Sequence, residues 1–467
     1  MSLPKFVVFK SNHDNKYLRY IQEQTNAHLK FSGEEFVSPY VKFEVEKAKS
    51  GNGLVHIRCC YNNKYWSHDW ESEYNWIVPR ANEPDEDQSK KSCTLFKPIH
   101  VDNDAKTVQI LHVHLGCDAK VRIAAAPHDS YLFAVSKNYD GIPMQGDVFK
   151  FIDWESLLIM PRHVAFKGNN GKYLCVKKSP YLQFASDDVG DPTVGNEIFT
   201  THDGRIRVKS NHEGKFWRRS NSTNWIWADS GDTTNNDHDT LFWPVKFDNN
   251  VIALRNLGNK NFCKGLTIEG KRNYLSAGVV TTSKEAKITV EELVTSRHIY
   301  NVIFHPSDAR IYSKKVHTMD AKDATNRNKT PKNEKLKFSY TETKSSSWNT
   351  IIWSKLGVKK TDFKPCVPFI NDEGRIEISA ELSEVKQWGK PRKSQPEVVN
   401  EYEVIVPPMT KVTVSLLATE GKCDVPFSYT QRDTLTNGKE VTYNMVDGIY
   451  SGINFFNFRY EIKHKKI

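Results

Sequence analysis

The sequence predicts an all-β protein with two tandem β-trefoil domains followed by an elongated antiparallel β domain. Three observations support this prediction. The first 294 residues contain one set of motifs twice, each copy divides into units of about 45 residues, and from about residue 295 long stretches of alternating polarity replace these motifs. A length of 467 residues also fits three domains of about 150 residues each.

The duplication is visible in motifs that return after about 150 residues. FKSNHDNKYL at residues 9–18 returns as FKGNNGKYL at 166–174, and LFKP at 95–98 returns as LFWP at 241–244. A fixed long period indicates repeated structural units. The predicted domains are therefore residues 1–153, 154–295 and 296–467.

A shorter period divides each copy into three. In the second copy, KYL near Tyr173, KFW near Phe216 and NFC near Phe262 are about 45 residues apart. Each unit has a short β segment, a turn rich in Asn, Asp and Gly, and another β segment, which is typical of hairpins. Three such units predict a β-trefoil. A β-sandwich is the alternative, but sandwiches seldom show threefold repetition.

The last third predicts longer strands. Apolar and polar residues alternate in RIEISAELS at 375–383, and residues 402–406 and 412–416 behave alike, which is typical of strands with one buried face. Residues 321–337 are polar and basic, and we expect a loop there.

Charge and composition exclude several classes. The net charge is +10, and residues 295–467 hold 28 Lys and Arg against 20 Asp and Glu, whereas the first 294 residues hold 38 against 36. A basic N-terminal arm for nucleic acid is thus excluded, and we expect no nucleic-acid partner. The N-terminal segment lacks the apolar core of a secretory signal, so we expect a cytoplasmic protein that associates with membranes only on activation. The eight cysteines form no CxxC pair, so we expect buried thiols.

No catalytic constellation is recognisable. His112 and His114 form an HxH on a strand pattern, but no third ligand is spaced for a metal. No nucleophile, base and orienting group occur together in a motif, and no pair of acids is placed for glycoside hydrolysis. We therefore expect no enzyme activity, no metal and no cofactor.

Aromatic residues indicate a binding site instead. Trp70, Tyr74, Asn75 and Trp76 cluster in the first copy, and the second copy has Asn224 and Trp225. Aromatic rings pack on the apolar face of a sugar, while short polar side chains bond its hydroxyl groups. Two other tryptophans, Trp66 and Trp217, directly follow the repeated KY and KF and are predicted to be core residues.

These segments, in this order, resemble the agglutinin domains of amaranthin-type plant lectins. The resemblance covers residues 4–294 and rests on FKSNHDNKYLRY, GLVHI, ANEPDE, CTLFKP, SYLFA, IDW, FKGNNGKYL and LQFA. It implies two β-trefoils that bind galactose and N-acetylgalactosamine glycans such as the T-disaccharide. It also implies subunits paired head to tail, with the sugar between the N-terminal domain of one and the C-terminal domain of the other.

The family's sugar loop corresponds to WESEYNWIVPRANEPDE, which begins at Trp70. Trp70 and Trp76 match the family pattern. Asn75 stands where the family has Tyr, and Tyr74 where it has His, so the resemblance fixes the place of the site but not the sugar.

The tail, residues 297–467, is similar to aerolysin-type pore-forming domains in PFINDEGRIEIS, QWG, VPPMTKVTVSL and CDVPFSY. The resemblance implies that one hairpin per subunit joins a transmembrane barrel, which leaves no strand edge unpaired. The strand at 375–385 would pair with 355–363 across a turn at 364–374. Pro368, Phe369 and Ile370 would form its tip, and Ile376, Ile378, Ala380 and Leu382 would face lipid.

Together these features predict a chimeric lectin of plant defence that is a homo-oligomer, a dimer in solution or a larger pore assembly. Two alternatives stay open. The tail could mediate only oligomerisation of a lectin that forms no pore, or the tandem trefoils could belong to an actin-type cross-linking scaffold.

Overall fold

The computed structural model describes ten segments of the chain: residues 2–23, 26–72, 75–101, 106–123, 129–135, 147–220, 222–268, 270–352, 361–379 and 386–467. Strands dominate these segments, and the all-β prediction is confirmed. Short 3-10 turns lie at Pro39–Val41, Trp154–Ser156, His238–Thr240, Lys284–Ala286 and Pro306–Asp308. None of the helices in these segments has the length and apolar character needed to cross a bilayer.

The first part of the chain, within its described residues, forms one twelve-stranded sheet. Its strands are β1 (Phe6–Ser11), β2 (Tyr17–Glu23), β3 (Asn26–Gly33), β4 (Phe43–Lys47), β5 (Val55–Cys59), β6 (Tyr65–His68), β7 (Ile77–Ala81), β8 (Phe96–His100), β9 (Thr107–His112), β10 (Cys117–Val121), β11 (Leu132–Val135) and β12 (Phe149–Asp153).

Six of these strands close a barrel. Strand β1 pairs with β4, β4 with β5, β5 with β8, β8 with β9, β9 with β12, and β12 returns to β1. The other six form three hairpins, β2–β3, β6–β7 and β10–β11. A six-stranded barrel capped by three hairpins is the β-trefoil that the threefold repeat predicted.

The second copy repeats this pattern in its described residues. Its strands are β13 (His163–Lys167), β14 (Tyr173–Lys178), β15 (Tyr181–Ser186), β16 (Asn196–Thr200), β17 (Ile206–Ser210), β18 (Phe216–Arg219), β19 (Ile226–Ser230), β20 (Phe242–Lys246), β21 (Val251–Asn256), β22 (Phe262–Ile268), β23 (Lys271–Val279) and β24 (Ile288–Glu292). The barrel closes through β13, β16, β17, β20, β21 and β24. The predicted domain boundaries stay predictions.

The repeated tryptophans fill the two barrel cores, as the motifs predicted. Trp66 and Trp217 are both 0% exposed. The Trp66 ring meets Phe43 edge-on at 5.2 Å between centroids, and Trp217 lies 5.3 Å from Phe166. Burial of such large aromatic surfaces explains why these positions recur in both copies.

The third part of the chain has much longer strands. They are β25 (Val294–Phe304), β26 (Arg310–Asn326), β27 (Lys332–Thr341), β28 (Lys344–Thr350), β29 (Asp362–Phe363), β30 (Pro368–Ile370), β31 (Ile376–Ile378), β32 (Lys386–Gln387), β33 (Arg392–Ser394), β34 (Glu397–Val406), β35 (Thr410–Leu435) and β36 (Glu440–Lys466).

Strands β35 and β36 form the axis of this elongated domain. They pair antiparallel from Thr410 beside Lys466 to Thr434 beside Glu440. The other edge of β35 carries β25 and then β26, and β28 pairs with β36. The two-stranded sheet β27–β34 packs its apolar side chains, such as Phe338 and Val406, against Val412 and Val414 of β35.

The loop predicted over residues 321–337 is wrong. Strand β26 continues to Asn326 and β27 begins at Lys332, so residues 327–331 form only a short connection. The error has a physical reason. Both strands expose charged side chains on one face, and on the other face only a few residues are buried, among them Ala324 and Phe338, so the segment is polar throughout most of its length. By contrast, the strands predicted at 402–406 and 412–416 are confirmed within β34 and β35.

A buried arginine joins the first trefoil to the elongated domain. Arg310 is 5% exposed, and its Nε donates to the carbonyl oxygen of Asn82 at 2.7 Å. Its guanidinium lies over the rings of Tyr65 and Tyr312, 5.0 and 4.0 Å from their centroids. Arg310 Nη1 is 3.9 Å from Asp424 Oδ2.

Other buried polar groups complete this contact. Asn63 Nδ2 donates to Asp424 Oδ2 at 3.1 Å, and Tyr20 donates its hydroxyl proton to Asp308. Arg297 fixes the second trefoil in a similar way, because its guanidinium bonds Asp433 and Glu292 at 2.8 Å. The three domains are thus held together by desolvated charges.

We predict that Arg310→Ala lowers the free energy of unfolding by about 3–5 kcal/mol, because it leaves Asp424 buried without its cation. Calorimetry should then show the first trefoil melting separately from the elongated domain. The matched control is Arg375→Ala, whose ion pair with Glu373 is 80% and 69% exposed and should matter by less than about 0.5 kcal/mol. Equal effects of the two substitutions would contradict the prediction.

A second prediction concerns Asp447 on β36, where burial raises the pKa to about 6. Tyr429 donates its hydroxyl proton to Asp447 Oδ1 at 3.2 Å. Because the folded-state pKa lies above the ordinary value of 3.8, this group contributes stability below about pH 4 and loses it as the pH rises through 6.

Relative to Asp447→Asn, the wild-type free energy of unfolding should therefore fall by about 3 kcal/mol from pH 4 to pH 7, as measured by urea unfolding. Asp187→Asn, at a carboxylate that is 77% exposed, serves as the control. A pH profile that Asp447→Asn leaves unchanged would refute the assignment.

Candidate functional site

The predicted sugar loop lies at the end of the β6–β7 hairpin of the first trefoil. Trp70 is 51% exposed, and the Arg80 guanidinium lies 5.8 Å from its ring centroid. Arg80 Nη1 is also 2.9 Å from Asp69 Oδ1 and 3.3 Å from Glu71 Oε2. The loop therefore presents an aromatic ring beside fixed charged groups, which suits a polyhydroxylated ligand.

Asn75 stands on the other side of the same loop and is exposed. Its amide oxygen lies 3.0 Å from His68 Nε2, and its backbone carbonyl accepts from Ala134 N–H at 2.8 Å. Burial lowers the pKa of His68, so the imidazole is neutral at pH 7. A neutral imidazole holds the Asn75 amide without adding a charge to the site.

Trp76 is only 4% exposed, in contrast to Trp70. Its ring packs on Tyr131 and Phe133 at centroid distances of 5.4 and 6.2 Å, and it forms a β-bridge with Phe133. Trp76 thus joins two of the three hairpins that cap the barrel. Its direct contact with sugar stays a prediction, and Tyr74 lies outside the described residues.

The second trefoil places Asn224 and Trp225 at the corresponding positions. Ala277 N–H donates to the Asn224 carbonyl at 2.9 Å, as Ala134 does to Asn75, and Trp225 bridges to Ser276. Trp225 is 5% exposed. The two copies therefore share one internal hairpin junction.

The side chain of Asn224 is engaged within the protein. Its Oδ1 accepts from Arg219 Nη1 at 3.0 Å and from Asn259 Nδ2 at 3.2 Å. Arg219 is fixed in turn by Asp239, whose Oδ1 is 2.8 Å from Arg219 Nε. The amide oxygens of both asparagines are engaged within the protein, but Asn224 is half-buried, whereas Asn75 is exposed. The geometry favours the first-domain loop as the more open site.

Arg80 was missed by the sequence analysis. A cation four residues after Trp76, on the outward face of β7, would have been a signal for it. The two tyrosines beside Trp227 on the outer surface of the second trefoil, Tyr181 and Tyr274, were also missed. Trp227 and Tyr274 are half-buried around Tyr181, and Arg218 lies over the Trp227 ring at 5.0 Å.

A short hairpin lies within the segment predicted to enter the membrane, but it is not the predicted pairing of 355–363 with 375–385, and residues 368–370 form one of its strands instead of its tip. Pro368, Phe369 and Ile370 form β30 and pair with Ile378, Glu377 and Ile376 of β31. The turn lies at residues 371–374, where Gly374 has a φ of 76°. The Asn-Asp-Glu-Gly segment is better suited to a tight turn than the Pro-Phe-Ile segment before it.

This hairpin is fastened to the long sheet. Ile370 is 1% exposed, its N–H donates to Asn454 Oδ1 at 2.9 Å, and its carbonyl accepts from Asn454 Nδ2 at 2.8 Å. Gly421 makes room for it, because a Cβ there would lie 2.8 Å from Ile370 Cδ1. Ala380, Leu382 and most of the predicted partner strand lie outside the described residues, and the membrane role stays a prediction.

The HxH pair lies at the end of β9. His112 is 0% exposed, and burial lowers its pKa to about 4. Its ring centroid lies 6.3 Å from that of His68 and 6.5 Å from that of His114. In the ten described segments, no group of three or more His, Cys, Asp or Glu residues could hold a metal ion.

The chain is similar to one protein family and to several solved structures. The Agglutinin domain model matches the chain twice, over residues 1–153 and 159–299. Among solved structures, the chain is similar to a lamprey immune protein, with 13% identity and a TM-score of 0.30 over 77% of this chain and 87% of that one. It is also similar to a mosquitocidal holotoxin, with 10% identity and a TM-score of 0.31 over 66% of this chain and 36% of the holotoxin. No curated protein sequence matches.

Two capped barrels and an axial sheet define a tandem β-trefoil protein with an additional elongated β domain. Since the Agglutinin domain model matches more than half of its length, the chain belongs to the Agglutinin domain family. Agglutinin domains are lectin domains, so the protein is a carbohydrate-binding lectin.

The different burial of the two loop tryptophans gives a stability prediction. Trp76→Ala should lower the free energy of unfolding by about 3–5 kcal/mol, because it opens a cavity between two hairpins. Trp70→Ala should change it by less than about 0.5 kcal/mol, because the ring is half exposed. Chemical unfolding followed by far-ultraviolet circular dichroism measures both. A Trp70 variant as unstable as the Trp76 variant would show that the loop packs differently.

Proposed function

We propose that the protein is a chimeric lectin whose trefoils bind galactose and N-acetylgalactosamine glycans, such as the T-disaccharide, on a target surface. The elongated domain then oligomerises and inserts a hairpin from each subunit into the membrane as a β-barrel pore, as in a defence protein. The observation that carries the lectin half is the match of both tandem domains to the Agglutinin domain model.

The Trp70 loop supports the position of the first glycan site. Arg80 lies over the Trp70 ring, and half of that side chain stays exposed. A galactose ring can pack its apolar face on the Trp70 ring. Asp69 and Asn75, which belong to the same loop, can then bond the hydroxyl groups of the sugar. The predicted head-to-tail dimer would bring Asn224 and Trp225 of a second subunit to this loop.

The glycan test compares two exposed aromatic residues. Trp70→Ala should weaken binding on a glycan array by about tenfold or more, because it removes the stacking surface. Phe247→Ala, at a ring that is 42% exposed in the second trefoil, should leave the array signal unchanged. An unchanged signal for Trp70→Ala would place the sugar elsewhere, and no signal from the wild type would refute the lectin half.

The segment between β27 and β34, residues 342–396, supports the pore half; we call it an excursion because the chain leaves and rejoins the β27–β34 pair at one place. Thr341 of β27 pairs with Glu397 of β34, and Glu342 N–H donates to the Pro396 carbonyl at 3.1 Å. The excursion contains the β30–β31 hairpin and is held to β36 by β28 and by Asn454. Its length of about 55 residues exceeds what two membrane-crossing strands need.

Release of this excursion is the step to test. Asn454→Ala removes both hydrogen bonds to Ile370, so dye release from glycoprotein-bearing vesicles should become several times faster. Asn444→Ala, on the same strand but away from the hairpin, should leave the rate unchanged. No dye release at any protein concentration, with agglutination of red cells intact, would refute the pore half and leave the lectin half standing.

The alternative function is a lectin or actin-type scaffold whose elongated domain mediates only oligomerisation. Co-sedimentation with actin filaments distinguishes the scaffold. The exposed Trp70 beside Arg80 favours sugar binding over a filament-binding surface. The cytoplasmic location stays a prediction.

A further inference from the structure

The far end of the elongated domain carries a cluster of cations that nothing described above uses. This distal tip consists of the connection at residues 327–331, the connection at 407–409 and the end of β36 from Lys465 onward. Register brings the three together, because Asn326 pairs with Thr410 and Thr410 with Lys466. The contact is direct: Ile467 N–H donates to the Met409 carbonyl at 3.1 Å, and Met409 N–H to the Asn328 carbonyl at 3.3 Å.

Asn326 holds the tip in shape. Its side chain is 1% exposed, and Nδ2 donates to the carbonyl oxygens of Thr330 and Val406 at 2.8 and 3.0 Å. Its Oδ1 accepts from Asn328 N–H at 2.9 Å. One buried amide therefore fixes both connections, so the charged side chains project from an ordered base.

Four cations at the tip lack an acidic partner among the described residues, namely Arg327, Lys329, Lys465 and Lys466, and all four are exposed. The lysines nearer the sheet differ, because Lys332, Lys411 and Lys463 pair with Glu334, Asp323 and Glu461. The acidic residues of this region are thus ion-paired with the lysines nearer the sheet, and the four cations at the tip keep an uncompensated positive charge.

Apolar side chains are exposed among these cations. Met409 is 46% exposed, Ile467 is 49% exposed, and Ile405, the outward residue between two buried valines of β34, is 65% exposed. Aliphatic groups beside lysine suit the boundary between lipid headgroups and acyl chains. A surface for single-stranded nucleic acid would instead present aromatic rings for base stacking.

We infer that the distal tip is a docking surface for anionic phospholipid headgroups such as phosphatidylserine. The inference goes beyond the proposed function, because it requires neither glycan binding nor pore formation. Asp424, which bonds the first trefoil, lies fourteen residues from Thr410 along β35, so the tip is about 45 Å from that contact. The lectin loops and the lipid surface are therefore separate contacts on one molecule.

The experiment uses the full chain and glycan-free phosphatidylcholine vesicles with or without phosphatidylserine, followed by co-sedimentation. The wild type should bind only the vesicles with phosphatidylserine, and more weakly as salt is added. Replacing Arg327, Lys329, Lys465 and Lys466 by Gln should weaken this binding by a hundredfold or more, on the order expected for four surface cations. Met409→Ser should weaken it by a few fold.

A matched variant replaces four exposed lysines of the same domain that lie away from the tip, Lys314, Lys315, Lys390 and Lys439. It has the same net charge, and it should bind like the wild type. An equal loss in both variants would mean that net charge alone acts and would overturn the inference, as would a wild type that ignores phosphatidylserine. The inference would also be overturned if the wild type bound single-stranded DNA but no vesicles, and only the tip variant lost the DNA binding. The tip would then be assigned to another partner.

Discussion

The full-length pairing of β35 with β36 is the constraint on which the rest of this molecule depends. Each strand has more than 25 residues, and they stay in register apart from two irregularities, at 417/419 and 427/429. Because a two-stranded ribbon alone leaves its outer backbone groups unpaired, β25 and β26 must cover one edge and β28 part of the other. Strand β35 supplies Asp424, which accepts from Asn63 of the first trefoil, and Asp433, which bonds Arg297 and through it Glu292 of the second trefoil.

The sequence contained the trefoils in readable form because each repeat must fill a barrel of the same size. Trp66 and Trp217 return at equivalent places since both meet that demand with one residue type. The roles of Trp76 and Trp225 could not be read in this way. Each of these tryptophans is buried by a hairpin that lies more than 50 residues further along the chain. The pattern of polar and apolar residues around the tryptophan does not reveal which hairpin this is or in which register it packs.

The elongated domain was harder to predict for a different reason. Much of β26 and β27 is polar on both faces, because only a narrow line of residues such as Ala324 and Phe338 is buried. A strand is recognised in a sequence by the alternation of apolar and polar residues, which requires one apolar face. This signal is absent where backbone hydrogen bonds to the neighbouring strand, rather than burial, hold a strand in place. Residues 368–370 belong to a strand and not to a tip, because the Asn-Asp-Glu-Gly segment that follows them is the better turn former.

The excursion between β27 and β34 also bears on how such a protein can change over generations. Its two ends are bonded neighbours, and the ten residue pairs of β27 and β34 close the domain behind it. Insertions and deletions are tolerated where the chain departs and returns at one point, because the entropy of closing a loop grows only slowly with its length. Changes in length can therefore be absorbed within residues 342–396, provided that β28 keeps its pairing with β36 and Trp348 keeps its place in the core of the axial sheet.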